Sequence, residues 1–424
     1  MDVSGRATVV TGAGSGSAGA GTQGPARTRR AAAGGVALLA LACSPGAASA
    51  ETSVRLAEGV TLTPYALEQL DAGSIDQDRE GGQAAGVNGR RLRLGGRANI
   101  RDQVEVGFIW DFGGTAGGRQ ALFEAKASYL GLKPFHVTVG VFKVGFGLES
   151  MQGAGATLFM ERASISTITR NLAAGIRREA VEIGADGERY NAVVALTAGQ
   201  AGPGRDGDQR AVAGRIASLA YSSDTVSVHL GVSGEYVFHG AREPGQPPSI
   251  TLSDREELQI DDAPSTLSTG GLRTDRIGAV GPEIGLGWQR LWLSGEYYSI
   301  LGRTQAPNRD VSFNGWYAQA AYTLLGTPRR WDGKIGGWGA PKPDAGFDPR
   351  TGHWGAVELA ARVSAVSLDS GTIRGGRQNV VATGVNWWPV EPLRFSVQYE
   401  HAAVSGGPSP RSVNAVAGRA QLQF

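Results

Sequence analysis

The most regular feature of the chain is a two-residue alternation of apolar and polar side chains. In RRLRLGGRANIR (residues 90–101), Leu92, Leu94, Gly96, Ala98 and Ile100 share one phase, and Arg91, Arg93, Arg97, Asn99 and Arg101 share the other. Successive side chains of a strand point to opposite faces, whereas a helix would scatter these arginines around its circumference. The segment therefore predicts a strand with one apolar and one strongly cationic face. The alternation recurs. Val104, Val106, Phe108, Trp110 and Phe112 share a face, as do Phe135, Val137, Val139 and Val141. Ala121, Phe123, Ala125, Ala127 and Tyr129 oppose Glu124, Lys126 and Ser128. Val226, Val228, Leu230 and Val232 oppose Ser227, His229, Ser233 and Glu235. Such runs last about 8 to 14 residues, the length of a tilted membrane-crossing strand. Turn signals such as Arg101-Asp102, Lys133-Pro134 and Ser223-Asp224 separate them.

Counting the runs gives about sixteen strands. The longest polar segments, 240–275 and 326–353, are rich in Gly, Pro and charge. Short turns at one end and long loops at the other fit an all-β transmembrane antiparallel barrel. No stretch after residue 50 approaches the roughly 18 apolar residues of a membrane helix, and barrels pass that test because their strands alternate. The aromatics Trp110, Tyr297, Tyr298, Trp316, Tyr317, Trp387 and Trp388 lie near strand ends, as interfacial girdles do. The competing reading is the packed interior of a soluble β-sandwich. The chain ends on an alternating run closed by Phe424. A terminal aromatic of this kind resembles the signal read by the outer-membrane barrel-assembly machinery, which is thus an expected partner.

Composition sharpens the picture at the N-terminus. Arg27, Arg29 and Arg30 precede the apolar run AAAGGVALLALA (31–42), and ASA at 48–50 offers a cleavage site before Glu51. Residues 1–50 read as an export signal, with a start that is over-long, and 51–424 as the barrel. Cleavage there removes the single cysteine, so neither disulfides nor thiol chemistry is expected. Four arginines and one aspartate precede residue 51, which leaves 37 basic and 38 acidic residues. Any cationic function must come from local placement, and nucleic acid is not an expected partner. The five histidines show no metal-ligand spacing. Neither a metal nor a cofactor is expected, and no nucleophile–base pair or paired carboxylates support an enzyme.

These residues resemble the phosphate-selective porins of the O and P type over most of the mature chain. Arg90-Arg91-Leu92-Arg93-Leu94, Trp110-Asp111-Phe112, VGVFKVGFGLE (139–149) followed by FMERA (159–163), GEYYSI (295–300), NGWYAQAAYTLLG (314–326), WGAVELAARVS (354–364) and GVNWWP (384–389) come in the family's order. The resemblance implies a sixteen-stranded outer-membrane barrel, a homotrimer, with an inward-folded third loop and anions, phosphate among them, moving along inward basic residues. The family's GQFKxPF appears here as GVFKVGF, and its LTGExR as LLGTPRR.

The candidate pathway follows. Arg91, Arg93, Arg97 and Arg101 make a ladder on one strand face, and Arg suits oxyanions because its planar fork binds two oxygens. Alternatively they pair with lumen acids such as Glu105, Asp111 and Glu124. Arg90 has the wrong phase for the lumen. Lys126 should face the lumen. Lys143 shares the outward phase of Val141, so a bulge or the end of the strand must intervene if it is to face the pore. Segment 147–172 is the expected constriction loop, carrying Glu161, Arg162 and Arg170, with Glu161 and Arg162 able to tie the loop to the wall. Glu358 and Arg362 share a face and read as a structural ion network. The expected function is passive outer-membrane diffusion preferring anions, phosphate or polyphosphate. The alternatives are a general or differently selective porin and, remotely, a barrel enzyme.

Overall fold

A computed structural model of the chain describes residues 53–77, 83–113, 121–175, 177–201, 207–242, 244–260, 265–305 and 307–424. The expected export signal at 1–50 lies outside the described residues. Sixteen strands form one antiparallel sheet: β1 (Val60–Gln77), β2 (Gln83–Ile100), β3 (Val104–Asp111), β4 (Ala121–Leu132), β5 (Phe135–Phe142), β6 (Arg178–Asp186), β7 (Tyr190–Gln200), β8 (Arg210–Ser222), β9 (Val226–His239), β10 (Arg276–Trp288), β11 (Leu291–Gln305), β12 (Asn308–Leu325), β13 (Ala356–Ser370), β14 (Ile373–Val390), β15 (Leu393–Ser405) and β16 (Arg411–Gln423). Each pairs with its sequence neighbours, and β1 also pairs with β16, so the sheet closes into a barrel without edges. A short lead strand, Val54–Ala57, covers the part of β1 that lies before the β16 pairing.

The alternation decides which face is which. Outward residues are large, apolar and exposed: Phe108 is 55% exposed, Leu196 63% and Ile216 64%. Inward residues are polar and buried, including Arg91, Glu124, Arg215 and Glu358, and on β8 the inward Arg215 directly precedes the outward Ile216. A soluble sandwich would show the reverse. The pattern fits a wall with hydrocarbon outside and a polar lumen inside.

The aromatic girdle is thinner than expected because period 2 splits adjacent pairs. Tyr297 and Trp316 face outward, whereas Tyr298, Tyr317 and Trp388 are buried inside. Arg90 is the other correction. Gln69 pairs with Arg91 and Leu70 with Gly89, so Arg90 sits in a β-bulge, and the extra residue lets its side chain reach an inward partner, Glu161.

The long segments 240–275 and 326–355 lie at opposite ends of the barrel. Connections after odd-numbered strands share one end with 143–177 and 240–275. The other end has turns of two or three residues except at 326–355. Both ends send chain into the lumen. From the loop end come 143–177, with helices α1 (Leu148–Met151) and α2 (Ser164–Leu172), and the 240–275 loop. From the turn end comes 326–355, whose Trp331–Asp332 and Gly337–Trp338 form a small hairpin. The two inclusions meet where Gln152 Nε2 donates to the carbonyl of Trp338 at 3.2 Å.

Apolar packing fills one side of the lumen. Phe142, Val144, Phe146, Ile165, Ile168 and Leu172 pack against Ile300, Phe313 and Leu368 of the wall. This core holds the loop to the β11–β13 side and leaves its polar edge facing β2–β5.

Candidate functional site

The wall opposite that core carries the predicted cations, each with a carboxylate. On β2, Arg93 Nε donates to Asp111 at 2.8 Å, and Arg97 holds Glu124 through two bonds of 2.8 and 3.0 Å. Lys126 on β4 pairs with Glu105 at 2.9 Å. Arg91 donates to Gln69 at 2.6 Å and pairs with Glu161 at 3.1 Å. Exposure is graded. The Arg97 side chain is 39% exposed and that of Lys126 18%, against 8% for both Arg91 and Arg93, so Arg97 and Lys126 meet the water. Arg93 also stacks 3.7 Å from the centroid of the Phe123 ring. Arg101 is apart from the others. It occupies the turn after β2 with φ +53°, exposed at the turn end.

The facing surface is the constriction loop. β5 ends at Phe142, and the chain leaves the wall before Lys143, which resolves that residue's awkward phase. Gly147, at φ +66°, turns the chain into α1 where an L side chain would be strained. The amides of Leu148 and Glu149 then donate to the Glu296 carboxylate at 2.7 and 3.0 Å. The hydroxyls of Tyr298 and Tyr317 bind the same carboxylate at 2.8 and 2.7 Å. The α2 start is held likewise, with Ser164 N donating to Glu257 at 2.9 Å. Beyond its end, the amides of Ala173 and Ala174 donate to Glu235 at 3.1 and 2.9 Å. Wall and loop carboxylates thus satisfy the first amides of both helices, and Glu235 takes the amides that follow α2.

The loop's own cations are held differently. Lys143 Nζ donates to the carbonyls of Ser150 and Met151 at 2.9 and 3.1 Å, in the last turn of α1. Arg162 donates to the carbonyls of Glu149 and Gln152 at 3.2 and 2.7 Å. Arg170 donates to the Asn171 side-chain oxygen at 3.4 Å. The Arg177 Nε has no hydrogen-bond partner. Among the described residues, none of these four reaches a carboxylate within ion-pair distance. Burial, and then the fields of Arg162, Arg170, Arg93 and Arg97, push the Lys143 ammonium down from 10.5 to about 7. Cations of the loop and of the wall are therefore close enough to act on one ammonium.

Glu161 is the tie between loop and wall. It binds Arg90 at 2.7 Å, Arg91 at 3.1 Å and Arg419 at 3.1 Å. Burial alone would raise its carboxyl, but these three arginines hold it well below the ordinary value. Arg162 ties α1 to the loop itself instead. The Glu358–Arg362 reading splits into two networks: Glu358 pairs with Arg329 at 2.7 Å, and Arg362 pairs with Glu149 at 3.2 Å and with Glu257 at 2.5 Å. Arg419 and Arg177 were not foreseen. Arg419 was legible, since it falls out of phase with Gly418, Ala420 and Leu422.

The profile of the phosphate-selective porin O and P family matches residues 66–424. The chain belongs to that family. A porin of this family is an outer-membrane channel, and these wall and loop cations lie on the inner side of the barrel. The chain is 24% identical over 382 residues to an uncharacterized protein of Caulobacter vibrioides, covering 84% of this chain and 72% of that one. Its fold is similar to that of outer-membrane expressed OmpT of Vibrio cholerae (TM-score 0.54, 10% identity, 88% of this chain and 100% of that one). It is also similar to an anion-selective porin from Comamonas acidovorans (TM-score 0.53, 15% identity, 86% and 100%) and to the channel DcaP of Acinetobacter baumannii (TM-score 0.52, 11% identity, 88% and 99%).

Proposed function

We propose that this porin passes small anions, with phosphate or polyphosphate as the preferred class, through the gap between the β2–β5 wall and the constriction loop. The reading rests on Lys143 and Arg162, which bind backbone carbonyls, and on Arg170 and Arg177; among the described residues none of the four lies within ion-pair distance of a carboxylate. Arg93, Arg97 and Lys126 add local donors, with Arg91 and Glu161 anchoring the loop. A desolvated cation in a narrow, low-dielectric passage favours anions strongly. The anion-selective Comamonas porin supports the class, and the trimeric Vibrio OmpT supports a homotrimer. Residues 1–50 direct export through the periplasm to the Gram-negative outer membrane, where Phe424 is offered to the assembly machinery.

One observation favours a second reading. Each wall cation is matched by an acid, which suits a general diffusion porin. Planar-bilayer recordings under a KCl gradient separate the two. An anion-selective reversal potential, with chloride current blocked by added phosphate, supports the proposal. Weak or cation selectivity without block establishes the general porin.

A further inference from the structure

Two features of the outward wall take no part in permeation. The first is a depression of about 640 Å³ in the outer face of β10–β14. Its floor is made of small residues in register: Gly295 opposite Ala318, Ala320 opposite Ala361, and Ala361 opposite Thr383. Outward aromatics bracket it. Tyr297 pairs with Trp316 toward the loop end, and Trp288 and Tyr322 both pair with Leu291 toward the turn end. The depression therefore lies at the depth of hydrocarbon, between two girdles.

The second is the outer part of the 326–355 connection, which lies over the turn ends of β14 and β15. The Phe347 ring is 5.6 Å from Trp354 and 5.5 Å from Trp387, and Trp387 is 5.6 Å from Phe395. Trp387 Nε1 donates to the Trp354 carbonyl at 2.8 Å, and Phe347 N donates to the Pro389 carbonyl at 2.8 Å. This fixes a partly exposed aromatic platform at the membrane's edge. Arg350 is exposed at its tip and has no side-chain partner among the described residues. The half-buried Asp348 beside it accepts the Arg350 amide at 3.0 Å. Lys342 is already paired with Glu391 at 2.7 Å.

Strand β14 joins the two features. Trp387 belongs to the platform, and Val385, Thr383 and Val381 continue along the same outward face into the depression. The six steps from Trp387 to Val381 span about 20 Å, enough to cross the roughly 15 Å half-thickness of a bilayer's hydrocarbon core at a tilt. We propose that this face seats one diacyl phospholipid of the leaflet at the turn end, with a zwitterionic aminophosphate headgroup. Arg350 takes the phosphate and Asp348 the ammonium. One acyl chain runs along β14 into the depression. Asp344, Asp348 and Glu391 around the tip disfavour a purely anionic headgroup. The inference rests on the membrane barrel and is independent of anion selectivity.

The test is native mass spectrometry of the full chain from mixed micelles containing phosphatidylethanolamine, phosphatidylglycerol or phosphatidylcholine. One phosphatidylethanolamine per chain should survive activation that strips the other two. Arg350→Gln should weaken retention roughly fivefold, the contribution of one interfacial cation. Ala361→Phe, which fills the depression, should weaken it at least as much, while Val194→Phe on the outer face of β7 should leave it unchanged. Should Ala361→Phe fail to fold, Ala320→Leu serves. Equal retention of the three lipids, or unchanged retention in the Arg350 and depression variants, overturns the proposal. So does a change in oligomeric mass in place of lipid loss, which would mark the face as a contact between copies.

Discussion

The two sides of the gap hold the same kind of charge by different means. On the wall, Arg93, Arg97 and Lys126 face Asp111, Glu124 and Glu105. On the loop, Lys143 and Arg162 face carbonyl oxygens. A carboxylate satisfies an arginine's donors and cancels its field. A carbonyl satisfies the donors and leaves most of the field standing. In the proposed passage, the wall then supplies hydrogen bonding with little net charge, and Lys143 of the loop supplies more of the potential. A formal charge near zero over the whole chain is compatible with a positive passage for this reason.

The comparison depends on the loop staying in place, so the largest effect should follow from releasing it. Replacing Glu296 by Ala removes four hydrogen bonds to a buried carboxylate and should cost about 3–5 kcal/mol. We expect a lower denaturation midpoint in detergent, larger single-channel conductance and reduced selectivity. Unchanged conductance would mean the apolar core and the remaining ties, such as Glu161, hold the loop without Glu296. Next in size, Trp338→Ala empties the turn-end inclusion and should destabilise the barrel by about 3–5 kcal/mol with less effect on selectivity, because no pathway cation touches it. Glu124→Gln should then make the wall resemble the loop. With Arg97 uncancelled, anion-to-cation permeability should rise about fivefold, the weight of roughly 1 kcal/mol of restored field. A fall would show that Glu124 orients Arg97 more than it neutralises it.

The smallest effect concerns pH. The Lys143 ammonium loses its proton near 7, so the loop carries that charge below pH 7 and not above it. Anion selectivity should decline about twofold as pH rises from 6 to 8, and Lys143→Arg should abolish the step in reversal-potential measurements.

The barrel was legible because period 2 is imposed by lipid on one face and water on the other, and both leave the same mark on every strand. The signal failed where a single residue changes the phase. The bulge at Arg90 turns an outward position inward, and β5 ends one residue before Lys143. Neighbouring aromatics such as Tyr297 and Tyr298 looked alike as a pair, although alternation assigns them to opposite faces. The 326–355 connection was misread for a different reason. Gly, Pro and charge mark a loop, but not the end of the barrel at which it lies or whether it turns in. Only counting strands to an even number places it at the turn end. The pairing of wall cations with Glu105, Asp111 and Glu124 was visible as an alternative, because those acids share the inward phase of adjacent strands. The carbonyl anchoring of Lys143 and Arg162 was not, since backbone acceptors carry no sequence signature.

The contact between Gln152 and Trp338 bears on closure of the ring. It joins a segment entering from one mouth to a segment entering from the other, deep in a tube whose seam is the β1–β16 pairing. A barrel closed along that seam encloses both inclusions, and their contact is made inside the ring.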